Sequence, residues 1–144
     1  YIGMMLNIKF GLSSLFREKL KADKLMTSFY IEREIIGNYL IISFKADSSN
    51  PDELVKAIKK ELETYDVTEE DISRLKKVWI SSEVMMIDNI NMTLENVIDD
   101  IIRYGKIISN RVEIYRSLNK KEYDDIISKV DFSNSSTLII KPKN

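Results

Sequence analysis

The sequence predicts an α+β fold in which helices pack on one face of an antiparallel sheet. Apolar residues recur at three- and four-residue spacing over most of the chain, which indicates amphipathic helices. One segment alternates apolar and polar residues about a Gly-Asn pair, and several later segments begin with helix-capping residues. No internal repeat or linker divides the sequence. We therefore interpret residues 1–144 as a single domain.

The first predicted element is a pair of amphipathic helices with a bend between them. The stretch Gly11-Leu12-Ser13-Ser14 interrupts the apolar periodicity, so the bend should lie there. The chain opens on an apolar run that has no capping residue ahead of it, and Tyr1 is interpreted as either a cut end or a fraying terminus. The apolar stripe consists of Met4, Met5, Ile8, Leu12, Leu15, Phe16 and Leu20.

A β-hairpin should follow these helices. The runs from Met26 to Ile35 and from Tyr39 to Ala46 are rich in aromatic and β-branched residues, and the second run alternates. The Gly37-Asn38 pair between them suits a tight primed turn.

Four more helices and a final strand complete the prediction. Asn50 precedes a proline at the first helical position, and Thr68 precedes three acidic residues that complement a helix dipole. The closing run is β-branched and ends at a proline, so it should join the hairpin in one sheet. The expected elements are helices from Pro51, from Thr68 to about Met86, from Leu94 to before Gly105 and from Lys120, and a strand from Thr137 to Lys141, stopped by Pro142.

Composition excludes several functions. The sequence has no histidine and no cysteine, so the usual zinc site, catalytic triad or redox pair is not available to this chain, and we expect no catalysis by it alone. Its formal charge of −1 favours neither nucleic acid nor an anionic membrane. No apolar run reaches the ~20 residues that span a bilayer. A cysteine-free chain without a signal peptide is compatible with the cytoplasm, which is the location we expect.

Other residues that could suggest chemistry have structural explanations. Neighbouring carboxylates on a helix point about 100° apart, so we interpret the pairs Asp99-Asp100 and Asp124-Asp125 as solvated helix faces rather than metal ligands. Trp79 lies on the apolar stripe of its helix and should be a packing residue. The methionines Met4, Met5, Met85, Met86 and Met92 are interpreted as core residues rather than a binding surface.

The order of these segments resembles a known family. The run Phe10-Gly11-Leu12-Ser13-Ser14-Leu15-Phe16-Arg17-Glu18-Lys19-Leu20, then Leu25, a hairpin, and Asp47 to Pro51 opening a helix is similar to the later domains of insulinase-like (pitrilysin-type) zinc metallopeptidases. Val67-Thr68-Glu69-Glu70-Asp71-Ile72 resembles the segment that opens the long helix pair of that family. The resemblance spans nearly the whole chain and rests on order and spacing rather than on catalytic residues.

The resemblance implies a non-catalytic role. Family members bind zinc through an inverted His-x-x-Glu-His helix near the start of the polypeptide, and this chain has no such motif. Later domains wall the peptide chamber, and many offer an arginine and, seven residues on, a tyrosine to the substrate. Here Lys21 stands at the arginine position, and the tyrosine position falls on Thr27 or Ser28. Lysine lacks the planar fork of arginine, and the alternative is a solvated lysine at a helix end.

Three functions follow from the sequence. The first is a non-catalytic, C-terminal-type domain of an insulinase-like zinc peptidase, with zinc in the parent and none in this chain. The second is a degenerate structural or substrate-binding partner of an active subunit, and the third is an unrelated α+β interaction module. The first two imply a catalytic N-terminal domain or partner subunit and a peptide substrate. An exposed sheet edge would in addition permit self-association.

Overall fold

The computed structural model describes residues 1–64 and 66–141. Within these ranges the chain forms seven α-helices and one two-stranded antiparallel sheet, so the α+β class is confirmed. In chain order the elements are α1 (Ile2–Phe10), α2 (Leu15–Ala22), β1 (Ser28–Ile36), β2 (Tyr39–Asp47), α3 (Pro51–Glu63), α4 (Glu69–Ile87), α5 (Ile90–Tyr104), α6 (Arg111–Ser117) and α7 (Lys120–Ile127).

The chain divides into two compact units. We call the first the helical unit, and it contains Tyr1–Met4 and Val67–Lys129. We call the second the sheet unit, and it contains the described residues of Met5–Asp66 and Val130–Asn144. That all 144 residues act as a single domain stays a prediction.

The hairpin of the sheet unit is confirmed. Strands β1 and β2 pair from Ser28 opposite Asp47 to Ile36 opposite Tyr39. Gly37 supplies the positive φ, +59°, that a tight primed turn needs. The first strand begins at Ser28 rather than at Met26.

Helices cover one face of this sheet through a cluster of phenylalanine rings. The register puts Phe29 and Phe44 on the same face. The ring of Phe10 in α1 lies 5.0 Å from that of Phe44, and the ring of Phe16 in α2 lies 5.1 Å from that of Phe10, centroid to centroid. The predicted bend between α1 and α2 is therefore present, and it folds both helices onto the sheet. The buried apolar residues of this unit are Met5, Leu6, Phe10, Leu20, Met26, Phe29 and Leu54.

The helical unit packs helix against helix. Helix α4 packs against α5 and α6, and the Trp79 ring lies 5.2 Å from the Tyr115 ring, which confirms the packing role of Trp79. Thus only α3 of the four helices predicted on the sheet belongs to the sheet unit. The buried apolar residues of the helical unit are Met4, Val67, Ile72, Leu75, Tyr123 and Ile127.

The helix boundaries follow the capping signals. Pro51 opens α3, and Thr68 forms a capping box with Asp71 at the start of α4. Helix α5 ends at Gly105, whose φ of +68° is left-handed, and Asn119 caps α7. The sequence analysis did not predict α6, which has only seven residues and follows Asn110, whose side chain makes no capping hydrogen bond.

The predictions for three groups of apolar residues are wrong. Residues 137–141 form no strand, and Leu138 and Ile140 are each 85% exposed; a β-branched run becomes a strand only when another edge pairs with its backbone. Pro142 lies outside the described residues. Met85 and Met92 are exposed rather than core residues. Leu12 and Leu15 are exposed too, because the interruption between α1 and α2 turns them away from the apolar stripe.

The helices that are described include none with the length and apolar character required to cross a membrane.

Candidate functional site

The candidate site starts at the last turn of α2, where Lys21 lies. Ser14 caps this helix, because its hydroxyl accepts a hydrogen bond from the Arg17 N–H. Leu20 is buried in the sheet unit, whereas the neighbouring Lys21 is exposed. The ammonium of Lys21 is therefore presented to solvent at the end of a helix that the core anchors.

Helix α2 ends in a Schellman motif with an unusual residue. The Leu25 N–H donates to the Leu20 carbonyl at 2.9 Å, and the Lys24 N–H donates to the Lys21 carbonyl at 3.0 Å. Lys24 has a φ of +55°, and among the described residues it is alone in having a positive φ without being glycine. A left-handed conformation costs a residue with a Cβ about 1–2 kcal/mol. The loop that leaves Lys21 is thus held in a strained conformation.

Thr27 and Ser28 lie at the base of the hairpin, against Asp47. The Thr27 N–H donates to the Asp47 carbonyl at 2.8 Å, and the Ser28 hydroxyl donates to the Asp47 carboxylate at 2.5 Å. Thr27 is exposed and Ser28 is half-buried. Thr27 and Ser28 therefore both form hydrogen bonds with Asp47. The structure shows no hydrogen bond from either to the Lys21 side chain within the described part of the chain.

Two serines in the segment that follows β2 form hydrogen bonds with the loop that follows α2. The Ser48 hydroxyl donates to the Leu25 carbonyl at 2.5 Å, and the Ser49 hydroxyl donates to the Lys24 carbonyl at 3.2 Å. We call residues 21–28 together with Asp47, Ser48 and Ser49 the basal loop. It combines exposed lysines with hydroxyl and main-chain groups, an arrangement that can hold a peptide carbonyl or carboxylate.

Arg17 is a further cation at this end of the hairpin, and the sequence analysis did not single it out. Its Nη2 donates to the Phe29 carbonyl at 3.1 Å, and its guanidinium lies 5.4 Å from the centre of the Phe29 ring. Its Nε is buried and has no hydrogen-bond partner among the described residues. The sequence signal was an arginine in the first turn of a helix that leads to an aromatic strand.

Asp100 corrects one prediction about carboxylates. It is 2% exposed rather than solvated. It accepts the Ile108 N–H at 2.9 Å and forms an ion pair with Arg111. The Ile108 hydrogen bond, with the Arg111 guanidinium, holds the pKa of Asp100 below its usual range. The carboxylate therefore fixes the loop after Gly105, which is a structural role.

Lys9 of α1 is also a buried charge with a structural role. It is 4% exposed, and its ammonium donates to Thr64 Oγ1 at 2.5 Å and to the Asp66 carboxylate at 2.8 Å. It also donates to the Glu61 carbonyl at 3.1 Å, near the end of α3. These hydrogen bonds join α1 to the C-terminal end of α3.

The residues present do not fit a zinc ion. Within residues 1–64 and 66–141 no three acidic side chains come together as a possible metal site, and the whole sequence lacks histidine and cysteine.

Comparison with known proteins identifies the fold. The structure is similar to the crystal structure of a protein described as an M16-like peptidase from Alicyclobacillus acidocaldarius, with a TM-score of 0.76 and 16% sequence identity. The similarity covers 89% of this chain and 32% of that one, so this chain spans about a third of its length. No family model and no curated protein matches the sequence. At this level of identity the likeness establishes an M16-like peptidase fold.

Proposed function

We propose that this chain is a non-catalytic domain of an M16-like, insulinase-type zinc metallopeptidase and forms part of the wall of the peptide chamber. The observation that carries the proposal is the fold likeness, which extends over 89% of the chain. Because the chain has no imidazole and no thiolate, the proposal has the zinc and the hydrolytic chemistry in another domain or subunit.

The basal loop is the proposed substrate contact. Lys21 would donate from its ammonium to a carbonyl of the bound peptide, as a point charge without the bidentate geometry of arginine. Thr27 and Ser28 would lie along the peptide, with the Ser28 hydroxyl already directed by Asp47. The serine contacts to Leu25 and Lys24 support this role because they hold the loop in one conformation before a peptide arrives.

The second candidate is a degenerate partner subunit that assists an active peptidase. The presence of Lys21 at the position where the family often has arginine favours it, since a direct catalytic contribution then becomes weaker. The third possibility, an unrelated module, is disfavoured by the fold likeness.

The test uses the natural gene product that contains this chain. We expect zinc at one equivalent or fewer per polypeptide, and peptide cleavage that a chelator abolishes, whereas the 144-residue chain alone should do neither. Zinc retained stoichiometrically by the chain alone would contradict the proposal. A natural product without zinc or cleavage would favour the partner-subunit alternative.

Substitution of Lys21 tests the contact itself. Lys21→Ala in the active protein should raise KM for a peptide about two- to tenfold, because one hydrogen bond contributes roughly 0.5–1.5 kcal/mol to binding. The zinc content should be unchanged. Lys121→Ala, an exposed lysine on α7, is the matched control and should leave KM unaltered. Equal KM values for the two variants would exclude Lys21 from the substrate contact.

A further inference from the structure

Strand β2 has an outer edge without a partner strand. It pairs with β1 on one side, and the described part of the chain contributes no third strand. Near the turn its apolar side chains are uncovered, with Tyr39 77% and Leu40 41% exposed. The opposite edge of the sheet is partly occupied, because Arg17 binds the Phe29 carbonyl of β1. An apolar open edge of this kind is a template for another strand.

The same unit also carries a strand-like segment without a partner. Residues 137–141, Thr-Leu-Ile-Ile-Lys, are β-prone in composition, and their Leu138 and Ile140 side chains are 85% exposed. Although these residues belong to the sheet unit, they form no ladder with either strand of their own chain. One molecule thus contains both an open edge and an unpaired apolar segment.

We propose that residues 137–141 of one copy add to the β2 edge of a second copy as an antiparallel strand, with a reciprocal exchange that closes a dimer. In the best antiparallel register, each residue of 137–141 lies opposite a β2 residue with a compatible side chain. This register sets a hydroxyl against a hydroxyl and three apolar residues against three apolar residues, and it lays the lysine stem along a tyrosine ring. The pairs are Thr137 with Ser43, Leu138 with Ile42, Ile139 with Ile41, Ile140 with Leu40 and Lys141 with Tyr39.

Neighbouring registers are poorer. A shift of two residues in one direction sets Thr137 opposite Lys45 and Lys141 opposite Ile41. The opposite shift sets Ile140 and Lys141 against the turn residues Asn38 and Gly37, beyond the end of β2. The side-chain pattern therefore favours the proposed register over the two registers shifted by two residues.

The occupant we infer is a second copy of this chain. The described residues leave both the 137–141 segment and the β2 edge unpaired, and a two-fold exchange pairs both on each copy and closes the assembly at a dimer. The formal charge of −1 per copy opposes association only weakly. Two short ladders bury less than a standard interface, so the dimer should form at micromolar rather than nanomolar concentration.

Cysteine cross-linking tests this register, because the 144 residues include no cysteine to interfere. A 144-residue chain with Leu40→Cys is mixed with a differently tagged chain that carries Ile140→Cys, and the mixture is oxidised. We expect a mixed disulfide, since opposite residues bring their Cβ atoms within about 4.5–5.5 Å. Leu138→Cys, equally exposed, replaces Ile140→Cys as a matched control and should link to Leu40→Cys several-fold less. Val78→Cys, exposed in the helical unit, gives the background from collisions.

Four outcomes would overturn the inference. A chain with both Leu40→Cys and Ile140→Cys that closes an internal disulfide at high dilution would show that the segment pairs with its own hairpin. Cross-linking no greater than the Val78→Cys background would show no pairing, and preferred linkage of Leu138→Cys would show a register other than the proposed one. Equal capture of an unrelated apolar cysteine peptide would show that the edge does not select a second copy.

Sedimentation equilibrium supplies an independent measurement. The mean mass of the natural chain should rise with concentration, and Leu138→Lys should abolish that rise. Because Leu138 is exposed, this change should not affect folding. Leu15→Lys makes the same change at an exposed position on α2, and it should retain the rise; loss of the rise in both variants would count against strand exchange.

Discussion

Replacement of Lys24 by glycine should stabilise the protein, and the gain can be worked out from its backbone. Lys24 occupies the left-handed position of the motif that ends α2, with a φ of +55°. Relief of the Cβ contact in this conformation should yield about 1–2 kcal/mol. Glycine loses more chain entropy on folding, by roughly 0.5–1 kcal/mol. The expected net increase in the free energy of unfolding is therefore about 0.5–1 kcal/mol.

Urea unfolding followed by circular dichroism would measure this increase. With a urea dependence of about 2 kcal/mol per molar, the midpoint of Lys24→Gly should rise by roughly 0.3–0.5 M with an unchanged slope. Lys24→Ala removes the same charge but keeps a Cβ, so its midpoint should stay near that of the natural chain. If Lys24→Gly were no more stable than Lys24→Ala, the assignment of strain to this backbone position would be wrong.

The remaining predictions concern buried contacts. Lys9→Met should lower the free energy of unfolding by about 1–3 kcal/mol, measured by urea unfolding. The hydrogen bond from Lys9 holds the pKa of Asp66 below its usual range, so the ion pair contributes fully to the free energy of unfolding near neutral pH and loses that contribution as the pH falls below about 4. Asp66→Asn should therefore weaken the dependence of the free energy of unfolding on pH in this acidic range. Asp100→Ala should abolish the hydrogen-exchange protection of the Ile108 amide, measured by NMR. Gly11→Ala should destabilise by about 1–3 kcal/mol in the same urea assay, because a Cβ there would lie 2.2 Å from a main-chain oxygen.

Much of the secondary structure could be predicted because its signals are local. Asn50 and Thr68 accept main-chain N–H groups three residues ahead, so each helix start depends on a few adjacent residues. Gly37 and Gly105 likewise mark a turn and a helix end locally, since glycine adopts a positive φ without the steric cost that a Cβ brings. Helix α6 escaped prediction because its seven residues are too few to show a long apolar stripe.

The candidate site was predictable only in part. The sequence pointed to Lys21, Thr27 and Ser28, and their functional role remains a proposal. The contact of Ser28 with Asp47 joins residues 19 positions apart, and the Arg17 contact with Phe29 depends on how α2 lies against β1. Such partners are set by the packing of elements rather than by spacing along the chain.

The sequence by itself determined the fold class, the hairpin, most helix ends and the absence of imidazole and thiolate chemistry, because each depends on composition or on contacts within a few residues. Only the tertiary structure decided which polar and apolar side chains are buried. Asp100 became a buried ion-pair partner because Arg111 and the Ile108 amide satisfy it, whereas Leu138 and Ile140 stayed exposed because no strand among the described residues pairs with them. Burial and strand pairing require partners that are distant in sequence, and the chain's local pattern does not specify them.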